Sequence, residues 1–420
     1  MKPVVLIVID GLTPSMFEAA ETPALRFLAE RGDYTRAASV FPSLTPVCLA
    51  SIATGAYPDG HLIPHLVWWH REERRVVEYG SSFGALRAAG LARGLRDTII
   101  DLNARHLSRD AETVYEALES TGLTTAAINI TCYRGTHRHL STIPGAPAVY
   151  GPKRFFFYSL YESDPTGAPI AVLNRALGSI DAYAATVGRW LVTRDGFDLL
   201  VYYLPDYDYA SHAQGPDAAH DALRRSDGAI SALFDAAGGP EEFLERYAVV
   251  VCSDHGQSKV ETVARLEVGD ERVTASNRAA MVYTDDPRGV AIRLDGEVAA
   301  GTVVFLEDDR LVARRDGDED LALLDGVPDG RARAEHALRN PNAGEVVVSA
   351  APGWEFADLA GRSHVGGGSH GSLGAADSEV PMLTIGLEHE PQSITEVAPA
   401  VLAHFGIAPP PYARQFARAA

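Results

Sequence analysis

The sequence predicts an α/β protein with a doubly wound, mostly parallel sheet and a β-rich insertion towards its C-terminal end. Three observations predict it. The runs at residues 4–9, 199–203 and 247–252 are apolar throughout rather than alternating, as strands buried on both faces are. Helical patterns separate these runs, so strands and helices alternate up to Gly256. Beyond that point the runs become short, β-rich and punctuated by turns.

Residues 4–9 form the first strand, and Asp10-Gly11 ends it. Thr22-Pro23 opens a helix over 24–31, with Thr at the cap and Pro at the first helical position. Thr45-Pro46 repeats that signal, and Gly55 stops the second helix. A ring-rich loop follows, with His61, His65, Trp68, Trp69 and His70. Residues 113–118 are helical and 124–130 a second buried strand. Residues 131–170 are loop-rich and carry Tyr133, Arg134, His137, Arg138, Lys153 and Arg154. An amphipathic helix spans 173–192. Asp217 starts another, with Leu223, Ile230 and Leu233 on one face. Short β runs at 280–283, 289–294, 302–306 and 345–348 compose an inserted lid subdomain. The sheet resumes at 380–385, and 395–404 is the last helix. The expected division is a core of residues 1–256, an insert over 257–360, and a return to the core with a tail over 361–420.

Three of the apolar runs end in carboxylates. Asp10 ends the first. Asp206 and Asp208 follow the run at 199–203, with His212 four residues past Asp208. Asp254-His255-Gly256 ends the last. His370 lies in a glycine-rich stretch, Gly366-Gly-Gly-Ser-His370-Gly371. In open α/β sheets, ligands bind at the carboxyl ends of the strands. Asp and His together suit a divalent transition metal, zinc first, with manganese or iron accepting the same ligands. Thr45 at a helix start has two readings: a cap, or a hydroxyl facing an anion held by free N–H groups.

Of 420 residues 46% are apolar, enough for a large core. A net charge of −19 argues against nucleic-acid duplexes and anionic membranes as partners. A small anionic substrate stays compatible, because a bound cation reverses the local field. Cys48, Cys132 and Cys252 are odd in number and far apart, so no disulfide framework is expected. The first apolar run is too short for a leader or a membrane span, and a cytoplasmic protein is expected.

Taken together, the motifs resemble those of the alkaline phosphatase superfamily, and within it the nucleotide pyrophosphatase/phosphodiesterase branch. Asp10-Gly11, Phe41-Pro42-x-x-Thr45, Thr54-Gly55-x-Tyr57-Pro58, Asp208-x-x-x-His212-x-x-Gly215-Pro216, Asp254-His255-Gly256 and His370-Gly371 carry the resemblance. It covers the chain from Val4 to about Ile407, loosely in the insert. It implies an alkaline phosphatase-like fold, a two-zinc site and Thr45 as nucleophile. Asp208, His212 and His370 would hold one metal. Asp10, Asp254 and His255 would hold the other, with the Thr45 oxygen. The spacing to His212 favours Asp208 over Asp206 as ligand. Family phosphodiesterases place an asparagine soon after the nucleophile helix, against a non-bridging phosphate oxygen. No Asn occurs here between Thr45 and Asn103. His65, Asn103, Asn129 and Arg134 are candidates for that role, with Tyr133 a further substrate contact. A sulfatase reading fails, because Cys48 precedes Leu49-Ala50-Ser51 instead of a Pro and Arg pattern.

The expected function is metal-dependent cleavage of a small phosphorylated substrate, a nucleotide or other phosphodiester. Phosphomonoesterase, phosphonate hydrolase and phosphomutase are alternatives on the same site, and a non-catalytic metal-binding protein is a further one. A monoester carries two charges and needs Arg or Lys near it; a diester needs an apolar slot. Trp68, Trp69, Tyr133 and the aromatic run at 155–158 favour the slot.

Overall fold

The computed structural model describes residues 1–163 and 179–413. Its main sheet has eight strands: β1 (Val4–Ile9), β2 (Asp33–Ala38), β3 (Thr125–Ile128), β4 (Arg154–Phe157), β5 (Tyr161–Glu162), β6 (Leu199–Leu204), β7 (Ala248–Cys252) and β8 (Glu379–Ile385). They lie in the order β2-β8-β7-β1-β6-β3-β4-β5. Strands β7, β1, β6, β3 and β4 run parallel, and β8 runs antiparallel between β7 and β2.

All six residues of β1 are buried, because each face of the sheet is covered. Val4, Leu6 and Val8 join one core, with helix α1 (Thr45–Thr54) and the C-terminal helix. Val5, Ile7 and Ile9 join the other, with α2 (Ile180–Val192) and the long helix His220–Ala237. Alternate side chains of a strand point to opposite faces, so a strand between two helical layers is apolar at every position.

This topology gathers the functional residues. Strands β7, β1 and β6 are neighbours and parallel, so Asp254, Asp10 and the Asp206–Gln214 helix emerge along one edge. An antiparallel strand is entered from the edge its parallel neighbours leave. The chain therefore delivers His370 to that same edge just before it starts β8.

A second, six-stranded antiparallel sheet lies within residues 272–350. The expected strand at 289–294 is instead the helix Pro287–Leu294: Asp286 accepts the Gly289 N–H and Pro287 sits in the first turn. Strand β2 escaped the sequence reading, since its burial is confined to its last two residues at the sheet's edge. Of the helix expected over 173–192, residues 173–178 lie outside the described residues. No helix among the described residues is long and apolar enough to cross a membrane.

Candidate active site

Thr45 is the first residue of α1, one place inside the helix. Leu44 is the extended N-cap, and no side chain caps this end. The capping expectation is therefore corrected: the free hydroxyl turns outward, with Oγ1 3.0 Å from His255 Nε2.

Three carboxylates converge beside it. Asp254 is fully buried; its Oδ1 accepts the N–H groups of Gly11 (3.1 Å) and His255 (3.0 Å). Asp10 Oδ2 accepts the Tyr203 hydroxyl. Asp208 Oδ1 accepts the Gln257 amide, whose own oxygen takes the Ser211 hydroxyl at 2.5 Å. The remaining oxygens face inward. Asp10 Oδ1 and Asp254 Oδ2 are buried with no hydrogen-bond partner among the described residues. They lie 3.3 and 3.4 Å from His255 Nε2. Asp208 Oδ2 lies 3.3 Å from His212 Nε2.

The three imidazoles share one arrangement. His212 Nδ1 donates to Gly368 O (2.8 Å), His255 Nδ1 to Gly256 O (3.1 Å) and His370 Nδ1 to Ser43 O (2.8 Å). A carbonyl only accepts, so each Nδ1 carries the proton and each Nε2 presents a lone pair to the carboxylates. Ligand atoms of Asp208, His212 and His370 lie within 4.8 Å of one another, as do those of Asp10, Asp208 and His255. Asp208 thus belongs to both groups.

The charges are crowded. Burial, then Asp254 and Asp208, hold the Asp10 carboxyl well above the carboxylate range. Burial also raises Asp254. For Asp208 burial pulls the same way, but His212, His370 and His255 outweigh it and its carboxyl sits low. Burial and the neighbouring His255 push His370 well below the usual histidine value. Unpartnered buried carboxylate oxygens beside inward imidazole lone pairs are the donor set of a borderline divalent cation, and the residues fit zinc.

A cavity of about 470 Å³ opens over this centre. Asp10, Thr45, Asp208, His212, His370 and Asn277 form its polar floor; Ile99, Leu102, Phe157, Tyr158, Leu160 and Tyr209 form an apolar wall. A larger cavity of about 780 Å³ adjoins it across Tyr158, Leu160 and Tyr209, and none of the clustered ligand residues lines it.

Asp206 is not in the cluster: it accepts the Ser179 hydroxyl and the Ile180 N–H at the start of α2, so the carboxylate facing His212 is Asp208. The expected substrate contacts are corrected. His65 is fully buried, bonded to Ala279 O (3.2 Å) and the Val67 N–H (3.0 Å). The Tyr133 hydroxyl donates to Ile99 O. Arg134 is spent on Glu116 (2.9 Å) and on the carbonyls of Leu107, Ser108 and Ala111. Asn103 accepts the N–H groups of Tyr133 and Arg134, tying that loop away from the cavity. Asn129 lines the larger cavity. Of the aromatic residues expected to form the slot, only Phe157 and Tyr158 line this cavity.

Sequence reasoning missed Asn277, Tyr203, Gln257 and His364. Asn277 comes from a hairpin turn of the second sheet, at φ +56°. Ser276 Oγ donates to its Oδ1 (2.8 Å), which turns Nδ2 towards His370 Nε2 (3.2 Å). Nothing in the sequence ties that turn to a motif some ninety residues away. Gln257 carried a readable signal, standing directly after Asp254-His255-Gly256.

Residues 4–373 match the model of the type I phosphodiesterase / nucleotide pyrophosphatase family. The chain belongs to that family. It is a hydrolase of phosphoester bonds within the alkaline phosphatase superfamily, and the family is metal-dependent. The chain is similar in fold to murine ectonucleotide pyrophosphatase/phosphodiesterase 5, at 14% identity and TM-score 0.68, over 99% of this chain and 98% of that one. An inactive Thr-to-Ala variant of the murine protein in complex with AMP aligns equally well, at TM-score 0.69. Phosphonoacetate hydrolase from Sinorhizobium meliloti 1021, in complex with phosphonoformate, aligns at 18% identity and TM-score 0.62 over 96% of each chain. No curated protein matches the sequence.

The loops that carry His212 and His370 pack without slack. A Cβ on Gly367 would lie 2.0 Å from His212 O. Gly367→Ala should cost about 1–3 kcal/mol in urea unfolding, as overpacking does, and should also lower metal content measured by mass spectrometry. Loss of stability with full metal content would mean that the Gly367 contact does not position His212 for a metal.

Proposed function

We propose that the chain cleaves small phosphodiesters, or the pyrophosphate bond of nucleotides, with Thr45 as nucleophile and two divalent metal ions, zinc foremost. One observation carries the reading: the uncapped Thr45 hydroxyl lies against His255, a member of one of two ligand clusters that share Asp208. Asp208, His212 and His370 would hold one ion; Asp10, Asp254 and His255, with the Thr45 oxygen, would hold the other. Bound ions there would supply charge neutralisation at the phosphoryl oxygens and favour ionisation of the nucleophile.

The chain's own residues do the rest. Thr45 attacks phosphorus and forms a phosphothreonine ester, which water then hydrolyses. At the helix start the Val47 and Cys48 N–H groups bond Leu44 O and Pro46 has none, which leaves the Thr45 N–H to meet a phosphoryl oxygen. Phosphoryl transfer needs placement and charge stabilisation more than acid–base machinery, and a buried, preorganised pocket provides both. Among the described residues, no Lys or Arg lines the cavity, whereas Ile99, Leu160, Tyr158 and Tyr209 do. This supports a singly charged diester with an apolar second group over a monoester. A phosphonate hydrolase is a second reading, favoured by the fold similarity to phosphonoacetate hydrolase. Rates on bis-p-nitrophenyl phosphate, p-nitrophenyl phosphate and phosphonoacetate separate the three; fastest cleavage of either alternative would overturn the diester reading.

Asn277 takes the phosphate contact left unassigned by the sequence. Its Nδ2 is a buried donor whose acceptor here is the His370 Nε2 lone pair. A cation on that lone pair would leave the donor without a partner, and a phosphoryl oxygen fills the need. Asn277→Ala should lower kcat/KM by about 10²-fold, the usual effect of deleting one oxyanion donor, and should weaken orthovanadate binding in calorimetry. Unaltered vanadate affinity would remove Asn277 from the phosphate site.

A further inference from the structure

Each of the three clustered carboxylates has one oxygen engaged by a neutral donor. Asp254 Oδ1 accepts two backbone N–H groups, and Asp10 Oδ2 accepts the Tyr203 hydroxyl. The donor to Asp208 is a side-chain amide. Gln257, only 2% exposed, donates its Nε2 to Asp208 Oδ1. An ionised carboxylate only accepts, so the NH2 end of the amide must face Asp208. The Ser211 hydroxyl fixes the other end, donating to Gln257 Oε1 at 2.5 Å. Two glycines make room for this amide. A Cβ on Gly11 would lie 2.5 Å from Gln257 Nε2, and a Cβ on Gly368 would lie 2.5 Å from Gln257 Oε1. Gln257 follows Asp254-His255-Gly256 directly, yet it grips a carboxylate that stands with His212 and His370.

Distances alone leave Asp208 open to both ligand clusters. We propose that Gln257 decides between them: it is a positioning residue that occupies Asp208 Oδ1 and confines Asp208 to the ion held by His212 and His370. The inference rests on the two-ion reading above. The oxygen that remains is Oδ2, 3.3 Å from His212 Nε2. The donors then divide evenly, with Asp208, His212 and His370 for one ion and Asp10, Asp254 and His255 for the other. Catalytic zinc sites keep three protein ligands and one open position. A bridging Asp208 would give the second ion a fourth protein ligand and fill the position that the Thr45 oxygen needs. A neutral amide prevents this without adding charge to a buried site that already holds three carboxylates.

An amide that merely fills space would change stability and leave both ion affinities alone. The test therefore measures zinc affinity, by competition with a chromophoric chelator, and needs no substrate. Two backgrounds isolate the two sites: Asp10→Asn weakens the Asp10 cluster, and His212→Ala weakens the His212 cluster. Adding Gln257→Met to Asp10→Asn should weaken zinc binding at the remaining site by about 10–100-fold, as loss of a hydrogen bond to a ligand does. Adding Gln257→Met to His212→Ala should cause no loss at the remaining site. Ser211→Ala, which frees the far end of the amide, should act in the same direction by a smaller factor. It replaces Gln257→Met if that variant shows no cooperative melt. No loss in the Asp10→Asn background, or an equal loss in both, overturns the proposal. If the native protein binds fewer than two zinc ions, the two-ion reading itself fails, and the two failures are thereby distinct.

Discussion

Thr45→Ala is expected to lower turnover of bis-p-nitrophenyl phosphate by about 10³-fold or more, with fold and metal content retained. The two halves of this expectation come from one geometric fact. A threonine that capped α1 would lose about 1 kcal/mol on truncation. Thr45 makes no capping bond, because Leu44 occupies the N-cap and Thr45 stands one residue inside the helix. Among the described residues its hydroxyl has a single hydrogen-bond partner, His255 Nε2. Removing the hydroxyl therefore takes nothing from the helix and everything from the attack. Thr45→Ser, which keeps an oxygen at the same place, should retain far more activity than Thr45→Ala. Thermal melts, metal analysis and steady-state rates on the three proteins check this. Equal activity in native protein and Thr45→Ala would end the nucleophile assignment; a drop in Tm without a drop in rate would restore the capping reading.

The same residue shows where sequence reasoning stops. Thr-Pro at a helix start is compatible with a cap or a nucleophile, and a shift of one residue in the N-cap decides between them. Such a shift leaves no trace in composition or periodicity. What was legible was topology. Runs of buried β-branched residues ending in Asp identify strands of a parallel sheet; the structure adds that β7, β1 and β6 are neighbours and so release their carboxyl ends along one edge. Asp10, Asp208 and Asp254 meet for that reason. His370 joins them because β8 runs against β7, a direction that the run at 380–385 does not reveal. Asn277 and His364 were beyond reach for a different cause. Both enter from segments outside the strand ends, and only the packing of the second sheet against the His370 loop, through the Arg278 N–H on His370 O at 2.9 Å, brings the Asn277 turn there. Arg134 was misjudged because a basic residue in a long loop looks free in sequence, whereas its guanidinium is consumed by Glu116 and three carbonyls.

Asp10→Asn should make the metal-free protein more stable while disabling the enzyme. In the folded chain the Asp10 carboxyl lies well above its ordinary value of 3.8, chiefly through burial and then through Asp254 and Asp208. A carboxyl raised on folding adds stability in acid and loses it as pH rises through the folded value. Asp254 acts in the same sense. Asp208 acts in the opposite sense, since its folded value is low; its contribution is present above 3.8 and lost only as pH falls below that. Buried His61, His65, His106 and His370 are held low and oppose the gain from Asp10 and Asp254 as pH falls below 6.5, so the Asp10 contribution is read as the difference between the chelated native protein and a chelated Asp10→Asn variant. Replacing Asp10 by its neutral isostere removes one of three buried negative charges. The chelated variant should then exceed the chelated native protein by about 1–3 kcal/mol at neutral pH, with the gap closing towards pH 5. Zinc should invert the order. A ligand at a thousandfold over its Kd stabilises by about 4 kcal/mol, and only the native cluster has its full donor set. A chelated Asp10→Asn protein that melts below the chelated native one would mean the carboxylates do not repel, and the case for a cation between them would lose its electrostatic ground.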